Sequence, residues 1–178
     1  MRILQKKFTL PVVIGVLPLF FQACSTSVIT TTPTELPEVY EDINETYQKK
    51  HDIRITLFRL NNYTDTPRAG MRAANILKGL LQAKGYIVKD YIKEKTPSFK
   101  KAKKKAKETN SDYFFYGGVS EWRYKTGIDG EPAVSLQIGL YKSKNGKLVW
   151  SATGSQSEWG NDSIGTTAHE LLKEMIQE

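Results

Sequence analysis

Apolar and polar residues change rhythm several times along this chain, and each rhythm names an element. Near Asp52, Ile53, Ile55 and Leu57 alternate with Arg54, Thr56 and Phe58, which is the period of a half-buried strand. A polar loop from Asn61 to Arg68, rich in Asn, Asp and Thr and containing Pro67, follows it. Ala73, Ile76, Leu77, Leu80 and Leu81 then recur at helical spacing, with Gly85 placed to close the helix. Tyr86 to Tyr91 reads as a second strand. The lysine-rich segment after it carries Pro97 at its first turn and a narrow apolar stripe of Phe99, Ala102 and Ala106, which predicts an outer helix.

The second half reads as a meander. Asp112 to Tyr124, Pro132 to Lys142 and Leu148 to Ser155 are strand-like runs, and Asp129-Gly130 and Asn145-Gly146 are dipeptides that tolerate tight hairpin turns. A last helix fits Ser163 to Gln177, capped by Asn161 or Asp162, with Ala168, Leu171, Leu172, Met175 and Ile176 facing inward. The order βαβαβββα predicts an α/β fold in three layers. Its mixed sheet, parallel at one side and antiparallel at the other, carries helices on its faces.

Before Asp52 the patterning is different. A basic start (Arg2, Lys6, Lys7), an apolar run from Leu10 to Phe21 and the small residue Ala23 make a secretory signal, too short for the roughly 20 residues that span a bilayer. Cys24, the single cysteine, stands directly after Ala23 and resembles the lipidated cysteine in the lipobox of bacterial lipoproteins. Acylation there accounts for a thiol with nothing to pair with. From Ser25 to about Lys50 the chain is rich in Thr, Pro, Glu and Asp and reads as a flexible tether, or as a segment docked by Val39, Tyr40 and Tyr47. The expected division is residues 1–23 as signal, 24–51 as lipidated cysteine and tether, and 52–178 as one domain.

Charge sharpens the picture. The formal net charge is +7, but Arg2, Lys6 and Lys7 leave with the signal, and Lys100, Lys101, Lys103, Lys104, Lys105 and Lys107 crowd into one stretch. The rest of the mature chain is slightly acidic. Such local basicity on an exported protein suits an anionic lipid surface better than nucleic acid, and a plain solvated face is the other reading.

Catalytic chemistry is hard to assemble. With two histidines, His51 and His169, and one cysteine, neither a nucleophile-base pair nor a metal site is indicated, and no cofactor is expected. Glu121, Asp129 and Glu131 around one hairpin have the residue types of a glycosidase pair, but solvated turn chemistry is the simpler reading. Trp150, inside a strand, belongs with the core. Trp122 beside Arg123 fits either cation–ring stacking or packing. Trp159, in the polar turn Ser157-Glu158-Trp159-Gly160-Asn161, suits a subunit interface, a membrane headgroup layer or the core.

Three stretches carry a family likeness: Asn62-Tyr63-Thr64-Asp65-Thr66-Pro67-Arg68-Ala69-Gly70, the run from Gly118 to Val134, and Val149 to Ser155 with Trp159-Gly160. Together they resemble the PelC lipoproteins of bacterial exopolysaccharide export, and the first also resembles the peptidoglycan-synthase activator LpoB and the secretion lipoprotein CsgG. Arg59 departs from that pattern, which has proline there. The resemblance implies a TolB N-terminal/CsgG-like fold, lipid-anchored on the periplasmic face of the outer membrane and assembled with copies of itself into a ring. It implies as partners a cationic polysaccharide and an outer-membrane β-barrel exporter like PelB. Asp129 and Glu131 are then the polymer-facing candidates, Trp159 the membrane or interface aromatic, and the lysine helix a lipid-facing surface. The alternatives are an LpoB-like regulator of a peptidoglycan synthase, a self-sufficient pore and an enzyme acting on the polymer.

Overall fold

Strand β2 (Arg54–Phe58) is the element about which the layers form, in a computed structural model that describes residues 26–32, 35–37, 52–125, 130–159 and 162–177. Alternation predicts one buried face, yet Ile55, Thr56, Leu57 and Phe58 are all buried. Two helices explain it. Ile55 and Leu57 share a core with α1 (Ala69–Ala83), while Phe58 packs with α2 (Phe99–Glu108) on the opposite face. Thr56 points to that second face, and its hydroxyl lies 2.8 Å from Ser111 Oγ and 3.0 Å from Thr109 Oγ1, so no polar atom is stranded there.

β4 (Ile87–Tyr91) and β5 (Tyr113–Tyr124) flank β2, each parallel to it. β5, β6 (Pro132–Lys142) and β7 (Leu148–Ser157) follow as an antiparallel meander. With β1 (Thr26–Thr31) at one edge, the sheet order is β1-β7-β6-β5-β2-β4, and the two-residue β3 (Asn61–Asn62) lies beside β5. The fold is therefore α/β, with a mixed sheet between two helical layers. α3 (Ile164–Met175) shares α1's face, where Leu77, Leu81, Leu171 and Met175 close over Phe115, Ile138 and Trp150. The smaller core under α2 is aromatic: the Phe99 ring lies 4.8 Å from that of Tyr141 and 5.5 Å from that of Phe114.

Helix ends follow local chemistry. Gly85, at φ 88°, lets α1 finish with paired bonds, Gly85 N to Gln82 O and Tyr86 N to Leu81 O. α3 is capped by Ser163, whose Oγ accepts from Thr166 N at 3.1 Å, rather than by Asn161 or Asp162. Ser163 is the residue in extended conformation directly before the first turn, the geometry capping requires.

The tether expected from Ser25 does not hold for the residues described there. Thr26–Thr31 form β1, antiparallel to β7 along its whole length. Ile29 packs against the main core, and Thr32 N donates to Ser151 O at 2.8 Å. Further on, Leu36 packs on the same core and Tyr86 Oη donates to Pro37 O at 2.6 Å. A Thr-rich composition resembles a spacer, but five of the six residues in Thr-Ser-Val-Ile-Thr-Thr are β-branched and favour strand, and β7 offers an edge.

Candidate functional site

Two of the three family-like stretches meet at one place. Between β3 and α1 the chain makes a polar loop tied by its own side chains. Asn62 Oδ1 accepts from Thr64 N at 3.1 Å and from Thr64 Oγ1 at 2.8 Å, and Asn62 Nδ2 donates to Thr66 O at 2.9 Å. Thr66 Oγ1 donates to Trp122 O, and Tyr63 N to Val119 O at 2.9 Å, so the loop is fastened to β5. Arg59, where the family pattern has proline, uses its guanidinium to bind Ile92 O at 3.0 Å and Lys93 O at 2.8 Å.

Opposite the loop, β5 slips register between Val119 and Glu121. This bulge places Ser120 and Glu121 together on the outer face and returns Trp122 to the core. Glu121 Oε1 accepts from Arg123 Nε at 3.0 Å and pairs with Arg123 Nη2 at 2.9 Å; its Oε2 accepts from Ser135 Oγ at 3.1 Å. The Ser135 and Ser155 hydroxyls are 2.9 Å apart, which carries the polar ladder onto β7. Loop and strand enclose an open pocket of about 390 Å³ lined by Tyr63, Thr64, Asp65, Thr66, Ser120, Glu121, Trp122, Arg123 and Ser135. Tyr63 is 73 % exposed at its rim, with its ring against Gly118, where an added Cβ would lie 2.5 Å from Tyr63 Cε2.

A second group gathers at the far end of the long strands. Thr26 pairs with Ser157, which pairs with Ala133, which pairs with Arg123, so the start of β1 and the end of β7 meet the β5–β6 connection. Trp159, 58 % exposed, lies there. Beside it, Glu158 is buried and accepts from Gln156 Nε2 at 2.6 Å and from Thr167 Oγ1 at 3.4 Å. A hydrogen bond with Glu158, then burial, then the Glu158 charge push the Asp162 carboxyl above its ordinary range. Glu131 pairs with Lys125 Nζ at 3.2 Å, and Lys125 Nζ also donates to Ser157 Oγ at 3.0 Å. Asp129 and Cys24 lie outside the described residues.

The lysines of α2 are elsewhere. That helix packs on the first part of β5, at Phe114 and Tyr116, and Tyr116 to Tyr124 at about 3.3 Å per residue is roughly 26 Å. Lys100, Lys101, Lys104 and Lys107 are exposed; Lys103 and Lys105 are half-buried, with Lys105 Nζ 4.7 Å from the Tyr91 ring centroid. Trp159 and the lysine face thus sit at opposite ends of the sheet. Trp122 is buried in the main core and Arg123 pairs with Glu121, while Trp150 packs edge-on against Phe115 at 6.1 Å.

Of the three carboxylates around the hairpin, two are described, and they sit in separate polar groups. Glu121 is engaged by Arg123 and Ser135, and Glu131 by Lys125, each with its own partner. Among the described residues no group of three or more His, Cys, Asp or Glu could hold a metal ion, and no helix is long and apolar enough to cross a membrane. Sequence reasoning did not assign Tyr63, Ser120, Ser135 or Ser155 to a site. The signal was present only as the polar Asn61–Arg68 loop, since the pocket joins segments more than fifty residues apart in sequence.

No protein-family model matches the chain, and no curated protein does. Among solved structures, the PelC dodecamer from Paraburkholderia phytofirmans is similar at 30 % identity and TM-score 0.70, covering 85 % of this chain and 95 % of that one. A variant of the same dodecamer in another crystal form is similar at 30 % identity and TM-score 0.69, covering 85 % and 96 %. A lipoprotein from Neisseria meningitidis, 21 % identical with TM-score 0.51 over 65 % of this chain and 90 % of that one, shares the fold. With such identity over nearly the whole of a solved relative, and the family-like stretches gathered at the pocket and the Trp159 end, the chain belongs to the PelC family.

Proposed function

We propose that this protein is a non-enzymatic outer-membrane lipoprotein that assembles into a periplasmic ring and assists export of a Pel-type polysaccharide through a β-barrel partner. The observation that carries this reading is the 30 % identity, over 85 % of the chain, to a PelC that is a dodecamer. A ring needs two different surfaces on each subunit that meet head to tail with a rotation that closes. The signal-like N-terminus and Cys24 supply the anchor, acylated and stable once several chains insert.

The start of β1 gives this reading an orientation. Cys24 is two residues from Thr26, so the backbone that would carry an acyl anchor starts at most about 7 Å from the sheet. The membrane-apposed end is then the one holding Thr26, Trp159 and the β5–β6 connection, and Trp159 meets the headgroup layer. In that orientation the lysine face of α2 stands up the sheet from the bilayer and serves a neighbouring subunit or solvent rather than lipid. Glu131 at this end already faces Lys125.

Deleting the gene and measuring secreted polysaccharide tests the function, with the mass of the solubilised protein reported alongside. Loss of export together with a multi-subunit mass is the expected result. Normal export from the deletion strain would refute the reading.

A further inference from the structure

Six of the ten residues of α2 are lysines, and Glu108 is its one acid. Lys103 and Lys105 are half-buried, with Lys105 held over the Tyr91 ring, which leaves Lys100, Lys101, Lys104 and Lys107 in solvent. The positive surface continues past the helix. The β6–β7 turn abuts α2 so closely that a Cβ on Gly146 would lie 2.9 Å from Lys103 Cδ, and Lys144 and Lys147 are exposed on that turn. Lys89 reaches the end of α2 from β4, its Nζ donating to Thr109 O at 2.8 Å. We propose that this surface docks on the peptidoglycan layer through the carboxylates of its peptide stems. The inference goes beyond export and takes from the reading above only the anchored, periplasmic orientation.

Solvent alone does not account for the face. An ordinary solvated helix mixes signs, since acid–lysine pairs one turn apart support it and like charges there oppose it. On α2 one such pair, Lys104 with Glu108 at 3.8 Å, stands against three lysine pairs at the same spacing: Lys100 with Lys104, Lys101 with Lys105 and Lys103 with Lys107. The helix therefore forms against its own repulsion, which a bound polyanion relieves.

Place and chemistry select the occupant. In the proposed orientation α2 lies away from the Trp159 end that meets the bilayer, so it faces the periplasm, where the wall lies, rather than headgroups. A second copy has little charge to bring, because Asp90, Glu121 and Glu131 are already paired within their own chain with Lys78, Arg123 and Lys125. The cations of α2 are point charges on flexible stems, with no guanidinium fork to grip a phosphate through two bonds. Lys100, Lys104 and Lys107 share one side of the helix and span about 10 Å of its axis. Such a row suits separated carboxylates, each met singly, better than one compact anion.

Co-sedimentation of the full-length lipoprotein, solubilised in detergent, with purified peptidoglycan sacculi tests the proposal. The native protein should sediment with the sacculi at low salt and come off at about 1 M salt, where the Debye length falls to about 3 Å. Replacing Lys100, Lys101, Lys104 and Lys107 together by Gln should cut the bound fraction by about tenfold or more at unchanged assembly mass, while replacing all four by Arg should keep it. Sacculi whose carboxyls have been amidated should bind neither. A native protein left in the supernatant, equal binding to amidated sacculi, or a Gln-substituted protein that sediments like the native one would overturn the proposal. A smaller assembly mass on Gln substitution would overturn it in favour of a neighbouring subunit. Release by micelles of anionic phospholipid, at a charge concentration well below the wall's, would overturn it in favour of lipid. None of these outcomes touches the export reading, whose failure shows instead as undisturbed export from the deletion strain.

Discussion

Three indoles in one small domain meet three different environments, and their energetics differ accordingly. Trp150 lies fully in the main core against Phe115, so Trp150→Ala should cost about 3–5 kcal/mol, read from urea denaturation. Trp122 is equally buried, but its Nε1 has no partner among the described residues, and an unmet buried donor carries a penalty of about 1–3 kcal/mol. Trp122→Phe deletes that donor while keeping a ring in place, so its net cost should stay below about 1.5 kcal/mol in the same assay. A loss as large as that of Trp150→Ala would show that the indole N–H is satisfied in solution. Arg68 is the converse case: it adopts the left-handed conformation at φ 65° directly before α1. Arg68→Gly relieves that strain at some entropic cost and should stabilise the domain by up to about 1 kcal/mol.

Elements whose burial is set by their own periodicity were legible from residues alone. α1, α3 and the β5–β6–β7 meander lie close to where Leu77, Leu81, Leu171 and the Val134-to-Leu140 alternation put them. β1 was hidden because its Thr-rich composition speaks of a spacer, and pairing with β7 is a long-range fact. The pocket was hidden for a similar reason: a register slip after Val119 re-aims Glu121, and periodicity carries no sign of a bulge. Thr30→Pro removes the N–H that faces Thr153 in the ladder, so it should release β1 and expose β7 amides, seen as faster hydrogen exchange there. At the β7–α3 junction the raised Asp162 carboxyl makes a prediction in pH. The native state holds this proton above the ordinary aspartate range, where the unfolded state has lost it, so stability falls as pH rises through that window. Asp162→Asn cannot ionise and should flatten that part of the stability profile in thermal melts.

At the scale of the whole molecule, the anchoring proposed for Cys24 makes the length of chain before the first strand the decisive quantity. A long tether would leave the domain free to present any face to the bilayer, and the basic face of α2 would then compete for it. Under the anchoring proposed above, one intervening residue removes that freedom and turns the Thr26 and Trp159 end toward the headgroups. In vesicles containing brominated lipid, quenching of the native protein's tryptophan fluorescence should come mainly from Trp159, since Trp122 and Trp150 are buried. Trp159→Phe should abolish most of it, and a Gly-Ser spacer of about ten residues inserted after Ser25 should weaken it by lengthening the reach. Replacing Lys100, Lys101, Lys104 and Lys107 by Gln should leave the quenching unchanged, because α2 packs on the first part of β5, away from that end. Quenching that survives the spacer but disappears with the lysines would mean that charge on α2, not the short link to β1, orients the subunit on the membrane.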